Sequence, residues 1–428
     1  MPKSRGRRNS SGSRKQKPVR RSPLPAMLSD QVMRDARRHF GGGSGELLTA
    51  EAWASSWLGR AWVDAPLTER EPEQRLCLEV AGWASTTPSP AGLAAVAALE
   101  RVAPPDSRAM LAGTVAVLAD TQPLPAWRTA VGHHPVRAWR AVDVWDSERV
   151  LFIAYEGPTP HTLMAQITEA GGTMVDKLGL LTPDAATAWS DMRDDDDVPM
   201  PLTGHEVSAA LADLATALRT TDMTWPRNND EDFVELRALA WTRCRDHLPD
   251  WPEHQQLPEA ERTRLLGTFT TNAVGDTDSD TFDTIRSLAE LFLDYGENYI
   301  TTGPLAWSPA QAMLFLADWL PRKAVLDHDQ RTLLPDLLKQ WVRFALTERG
   351  VEPRWIAPVI NAVDIHLPDF QDAFDDQSAW GPAKQIAALL TSRGIDPTDQ
   401  DAVETAVRAL NAERLTRRLT QQPPAHDS

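Results

Sequence analysis

Residues 138–181, AWRAVDVWDSERVLFIAYEGPTPHTLMAQITEAGGTMVDKLGLL, set the architecture, because here alone the spacing is that of consecutive β-strands. Alternation and turn residues predict strands at 138–145, 150–156, 161–168 and 174–181, separated by DSER, EGPTP and EAGG. On the third strand Leu163, Ala165 and Ile167 share one face while Thr162, Gln166 and Thr168 share the other. The second strand, VLFIAY, is apolar on both faces, which predicts a central position covered on both sides. The expectation is a small antiparallel β-meander with helices packed against it.

Helical periodicity fills the flanks. Upstream, Val32, Met33, Ala36 and Phe40 form one apolar stripe, and Trp53, Trp57 and Ala61 form another behind Thr49 as a candidate cap. The Ala-rich helices that follow, AGLAAVAALERV among them, carry side chains small enough for close axial approach. Downstream, TPDAA, the run Asp194 to Asp197 and VPMP mark residues 182–202 as a linker. Thr203 and Glu206 have the spacing of a capping box ahead of the stripe Val207, Ala210, Leu211, Leu214 and Leu218. Ser308 and Pro309 open a helix that Pro321 is expected to close, and a partner helix through Leu338 and Trp341 stops at Gly350. A final helix begins at Asp396 and Pro397. The expected fold class is mainly α and multi-helical with a small central antiparallel β-meander, α+β overall, preceded by a disordered basic N-terminal tail. The corresponding units are the tail 1–28, a Trp/Ala-rich helical unit 29–130, the meander 131–190 and a multi-helical domain 203–420.

The formal charge of −16 hides a division: residues 1–28 hold nine cations and no acid, so the remainder carries −25. The nine are Lys3, Arg5, Arg7, Arg8, Arg14, Lys15, Lys17, Arg20 and Arg21. They are interleaved with Ser, Gly and Pro and lack the apolar side chains needed to offset the entropy of ordering. An acidic body repels nucleic acid and anionic membranes, whereas a basic arm attracts both. Each phosphate neutralised releases counterions, so binding through this arm is expected to depend steeply on salt. The arm has no aromatic residue for base stacking, which predicts little sequence preference. The competing expectation is a passive, solubilising end.

The two cysteines, Cys77 and Cys244, lie far apart in helical patterns and imply neither a disulfide framework nor a Cys-based zinc site. No apolar run approaches the length of a membrane helix, and SPLPAMLSD after Arg20 and Arg21 lacks the hydrophobic stretch of a signal peptide. A cytoplasmic location and no membrane partner are the expectation.

On the meander, Asp143, Glu156, His161 and Asp176 would converge if the strands paired in sequence order. A histidine beside carboxylates suits acid/base chemistry because its ordinary pKa lies near neutrality, although charged residues also decorate solvated faces and strand ends. His133 and His134 are adjacent, and neighbours on a strand point to opposite faces, so they do not form a metal pair. Glu206 follows His205, but Ala209 stands where a zinc-protease helix needs its second histidine. The acids Asp276, Asp278 and Asp280 fail the EF-hand pattern, with Thr281 where Gly is needed and Ser287 where Glu is needed. No nucleotide-loop, dinucleotide-turn, nucleophile-elbow or kinase motif occurs, and the motifs imply neither metal nor cofactor. The leading expectation is a non-enzymatic interaction or regulatory protein whose basic arm contacts nucleic acid or a nucleoprotein complex while its helical body engages another protein. The alternative is an enzyme or small-ligand-binding protein using His161 and the sheet carboxylates.

Overall fold

The period-two stretch contributes to four consecutive antiparallel strands, β1 (His134–Val142), β2 (Glu148–Glu156), β3 (His161–Thr168) and β4 (Met174–Leu181); β1 begins four residues before the expected 138 and ends at Val142, so 143–145 belong to the hairpin. The structure is a computed structural model describing residues 27–41, 45–182, 184–193, 198–251, 256–274, 279–375 and 384. A fifth strand, β5 (Leu202–His205), pairs antiparallel with β1, and the sheet order is β4-β3-β2-β1-β5. β2 is therefore the middle strand. Leu151 and Ile153 point into one apolar cluster and Val150 and Phe152 into another, which is why its sequence lacks polar alternation.

Five helices precede the sheet: α1 (Met27–Phe40), α2 (Leu47–Val63), α3 (Pro72–Thr86), α4 (Pro90–Val102) and α5 (Pro105–Ala119). α4 is apolar around its whole circumference and is the buried centre of this layer, every residue from Ala91 to Leu99 being buried. Its start is held by Ser89, whose hydroxyl accepts the Gly92 N–H at 3.1 Å.

Next come α6 (Ala185–Asp191), α7 (Val207–Met223) and α8 (Glu231–Cys244). α7 and α8 cover one face of the sheet through Leu211, Leu214, Leu218 and Phe233; Ala185 and Ala188 of α6 cover the other. The remaining elements are α9 (Glu259–Val274), α10 (Ser279–Tyr299), α11 (Pro309–Met313), a π-helix (Leu314–Trp319), α12 (Leu320–Lys323), α13 (His328–Glu348) and α14 (Pro353–Asp375). They enclose a core built on Phe292, Trp307, Phe315 and Trp341. The tip of the β1–β2 hairpin plugs into that core: Trp145 belongs to it and donates its indole N–H to the Trp355 carbonyl at 2.9 Å. The protein is thus mainly helical, with a single antiparallel sheet among the described residues.

Several local expectations change. Thr203 lies in β5, where its hydroxyl donates to the Arg140 carbonyl at 3.2 Å; it does not cap a helix. Glu206 caps α7 itself by accepting the Ala209 N–H at 2.8 Å. Four residues of strand are too short to show periodicity, and partnership with β1 decides their conformation. The linker contains α6, started by Asp184, whose carboxylate accepts the Ala186 and Thr187 N–H groups. α2 begins at Leu47 without a side-chain cap, and Thr49 lies within it. Pro321 does not end its helix. It sits in the first turn of α12, directly after the π-helix, and the helical course continues to Lys323. The four-aspartate run, Asp276, Asp278 and the helix expected after Pro397 lie outside the described residues.

α8 serves two layers at once, packing on the sheet and lying along α2. Gly59 makes the second contact possible, because a Cβ there would collide with the Val234 carbonyl. Gly113 on α5 faces open space. Gly59→Ala is expected to lose about 1–3 kcal/mol or more from overpacking. Gly113→Ala is expected to gain up to about 1 kcal/mol from helix propensity. Chemical denaturation of the two variants checks the opposite signs.

Candidate functional site

The sheet does not gather the four acid/base candidates. Asp143 lies just past β1 at the β1–β2 hairpin. Its carboxylate accepts the Trp145 N–H at 3.1 Å, the Ser147 N–H at 2.7 Å and the Ser147 hydroxyl at 2.6 Å. Burial raises its pKa against those hydrogen bonds, and the geometry is that of a turn-forming residue. Asp176 is exposed on β4 near the same end, as the extra residue where the pairing with β3 shifts between Lys177 and Val175. Burial, followed by the charges of Asp143 and Asp176, raises the pKa of neighbouring Glu148. Glu156 and His161 occupy the far end of β2 and the start of β3, about 25 Å away at ~3.3 Å per residue. Glu156 is exposed there and paired in register with His134.

His161 instead joins a buried ionic cluster. Glu51 of α2 is 2.6 Å from Arg243 Nη2 of α8, 3.4 Å from Arg101 Nε of α4 and 3.5 Å from His133 Nδ1. Burial acts to raise the Glu51 pKa, but His133, Arg243 and Arg101 outweigh it and hold the carboxyl below its ordinary value. The His133 and His161 rings meet edge to face at 4.8 Å, and Tyr155 stacks on His161 at 5.2 Å. The Thr159 carbonyl lies 2.9 Å from His161 Nδ1 and can only accept, so that nitrogen carries the proton and Nε2 presents a lone pair. Desolvation lowers the His161 pKa to about 4. The imidazole is a neutral group enclosed between two rings, and it packs the junction of sheet and helices. His134 points outward, so the adjacent histidines diverge as strand geometry requires. Among the described residues no group of three or more His, Cys, Asp or Glu is placed to hold a metal ion.

The nine cations of the basic segment lie outside the described residues, but the surface where that segment joins the fold has a definite form. α1 and α2 meet only through side chains and leave between them a groove of about 940 Å³ lined by Arg34, Arg38, His39, Trp53, Trp57 and Arg60, with Asp35 and Glu235. Helical spacing builds it: Arg34 and Arg38 are four apart on α1, and Trp53 and Trp57 are four apart on α2. Asp35 ties the helices together, accepting the Trp53 indole N–H at 2.8 Å and the Trp57 indole N–H at 3.3 Å. Its other oxygen pairs with Arg38 at 2.9 Å. The acid is thereby committed to structure, while Arg34 and Arg60 stay exposed, Arg60 lying 5.0 Å over the Trp57 ring. His39 stacks on Trp53 at 6.2 Å and is also exposed. On a chain whose body is strongly acidic, this groove presents cations beside aromatic rings. The paired arginines and tryptophans are visible in sequence as i,i+4 repeats; the part played by Asp35 is not, because it depends on how α1 meets α2.

The depressed His161 pKa makes stability depend on pH. The unfolded chain binds a proton near the ordinary value of 6.5 and the folded chain only near 4, so this contribution is complete above 6.5 and is lost as pH falls toward 4. His161→Phe is expected to shrink the difference in unfolding free energy between pH 7 and pH 4.5 by about 2 kcal/mol. Denaturant titrations of both proteins at the two pH values measure it.

Comparison with family models, curated proteins and solved structures finds no match to this chain, and the functional reading rests on the geometry described above.

Proposed function

We propose that this chain is a non-enzymatic interaction or regulatory protein that contacts nucleic acid, or a nucleoprotein complex, through its basic segment and the α1–α2 groove acting as one surface. The observation that carries the reading is the adjacency of the two cationic features. Nine Lys and Arg residues precede α1, and the first groove arginine, Arg34, follows thirteen residues after Arg21. The groove adds the exposed guanidinium groups of Arg34 and Arg60, suited to phosphate oxygens, and the exposed imidazole of His39. The acidic remainder of the body would repel the polyanionic backbone and favour this side.

The helical body engages a second macromolecule in this reading. The end of α7 exposes apolar side chains, with Met223 71% and Trp225 56% accessible. A reducing cytoplasmic compartment agrees with the cysteines, both buried free thiols, Cys77 pushed up to about 12 by burial. No helix among the described residues is long and apolar enough to cross a membrane.

Fluorescence anisotropy with labelled generic duplex DNA and single-stranded RNA, at several salt concentrations, tests the proposal. The full chain is expected to bind with a steep salt dependence, each duplex phosphate contact adding about 0.9 to the slope. Replacing the nine cations of residues 1–28 by Gln is expected to remove most of that slope. The double variant Arg34→Ala, Arg60→Ala is expected to remove about two further contacts, roughly one unit of slope each. Binding that is absent from the full chain, or equal in affinity and salt slope after the nine replacements, would overturn the proposal.

A further inference from the structure

A second cleft, on the other side of the sheet's hairpin end, has the features of a small-molecule site. It has a volume of about 1200 Å³ and lies where the β3–β4 turn meets the C-terminal helices. Ligand clefts favour such junctions between packed units. None of Asp143, Glu156, His161 and Asp176 lines it. One wall is the turn Gly171-Gly172-Thr173, whose two glycines have φ of +80° and +123°, a backbone course that side chains would strain. The opposite wall is the π-helix, which ends in Asp318 and Trp319. Such widened turns recur at functional sites because they re-aim side chains that a regular helix would place elsewhere.

The groups facing this space are specific in kind. Tyr299 is stacked on Tyr295 at 5.5 Å, stands edge to face with Trp319 at 5.6 Å, and remains 42% accessible, so part of its ring is open to a ligand. The hydroxyls of Thr173 and Thr301 donate to Oε2 of the buried Glu169, at 2.5 Å and 2.7 Å. Each hydroxyl has a single proton, so both threonine oxygens offer only lone pairs to anything in the cleft. Asn298 donates its side-chain N–H to the Asp294 carbonyl at 2.7 Å, which leaves its amide oxygen as a further acceptor. Among the charged residues of the wall, Glu297 pairs with Arg262 and Asp318 with Arg322. Lys323 has no ion-pair partner among the described residues and is the cation of the wall left open to an anion. The base is rigid: buried Gln311 donates to the Glu169 carbonyl at 3.3 Å and accepts the Tyr295 hydroxyl at 3.0 Å.

We propose that this cleft binds a nucleoside phosphate. An open aromatic face takes a planar base, a set of acceptors takes its amino or ribose hydroxyl protons, and an uncompensated ammonium takes the phosphate. The site is independent of the nucleic-acid surface: it lies on different elements and uses different residues.

Isothermal titration of the full chain with AMP, GMP, CMP and UMP tests this, with adenosine and inorganic phosphate as controls. At least one nucleotide is expected to bind saturably at one site per chain, about tenfold or more tighter than either control. Tyr299→Ala and Lys323→Ala are each expected to weaken it about tenfold, the effect of removing a stacking face or a charge-assisted contact. Both side chains are exposed, and circular dichroism establishes that each variant is folded; should one fail, the other carries the test. The double variant Arg34→Ala, Arg60→Ala is expected to bind nucleotide unchanged. Absence of binding by all four nucleotides, equal binding by the folded cleft variants, or loss of binding in the α1–α2 variant would overturn the proposal.

Discussion

A carboxylate buried at the meeting of three helices and a sheet governs how this protein is put together. Glu51 is 1% accessible, yet it is shared by Arg101 of α4, Arg243 of α8 and His133 at the entry to β1. Burying such a charge costs several kcal/mol, and it is tolerated only where partners surround it. All four elements must therefore arrive together. A second ionic joint repeats the device. Arg237 of α8 is held by two 2.7 Å contacts to Asp222 of α7 and one of 2.9 Å to Glu73 of α3, with the Trp62 ring 4.3 Å away. α8 carries both arginines, and its backbone is tied to α2 by the Leu239 N–H donated to the Ser55 hydroxyl at 2.9 Å. It is the helix through which the first helical layer and the sheet become one body.

The two ends of the sheet then take different duties. One end is clamped against the Glu51 cluster by Tyr155 and His161. The other is clamped into the C-terminal helices by Trp145 and by Arg349, which donates to the Trp145 carbonyl at 3.0 Å and pairs with Asp146. Polar residues at strand ends look like chemistry when considered one at a time. Here Asp143 shapes a turn and His161 fills a junction. Open space lies instead where layers meet imperfectly, between α1 and α2 and between the β3–β4 turn and the π-helix.

The abundance of tryptophan has a physical reading in the same terms. Trp53, Trp57 and Trp241 donate their indole N–H to aspartates, and Trp145 and Trp189 donate theirs to backbone carbonyls. Each buries a large apolar surface while satisfying a polar group across an interface between elements, which phenylalanine cannot do. The strong negative charge of the body then leaves few surfaces on which an anion can settle, and both open grooves carry cations at their rims.

Local sequence determined the elements. Period-two alternation placed β1 to β4, the all-apolar run VLFIAY placed β2 at the centre, and helical stripes placed the α1, α2, α7 and α13 cores, because each depends on neighbours within one or two turns of chain. The division of charge between residues 1–28 and the rest is equally a property of sequence alone. Tertiary structure decided the remainder. β5 is too short to have a period and exists because β1 offers it an edge; the helix through Pro321 continues to Lys323 after a π-helix that no propensity signals. Glu51, Arg101, His133 and Arg243 span 192 residues of chain before they share one charge. The same holds for Thr301, whose hydroxyl reaches Glu169 across 132 residues of chain. Contacts of that kind depend on how layers dock, and docking is set by the sum of many packed surfaces that no single stretch of sequence contains.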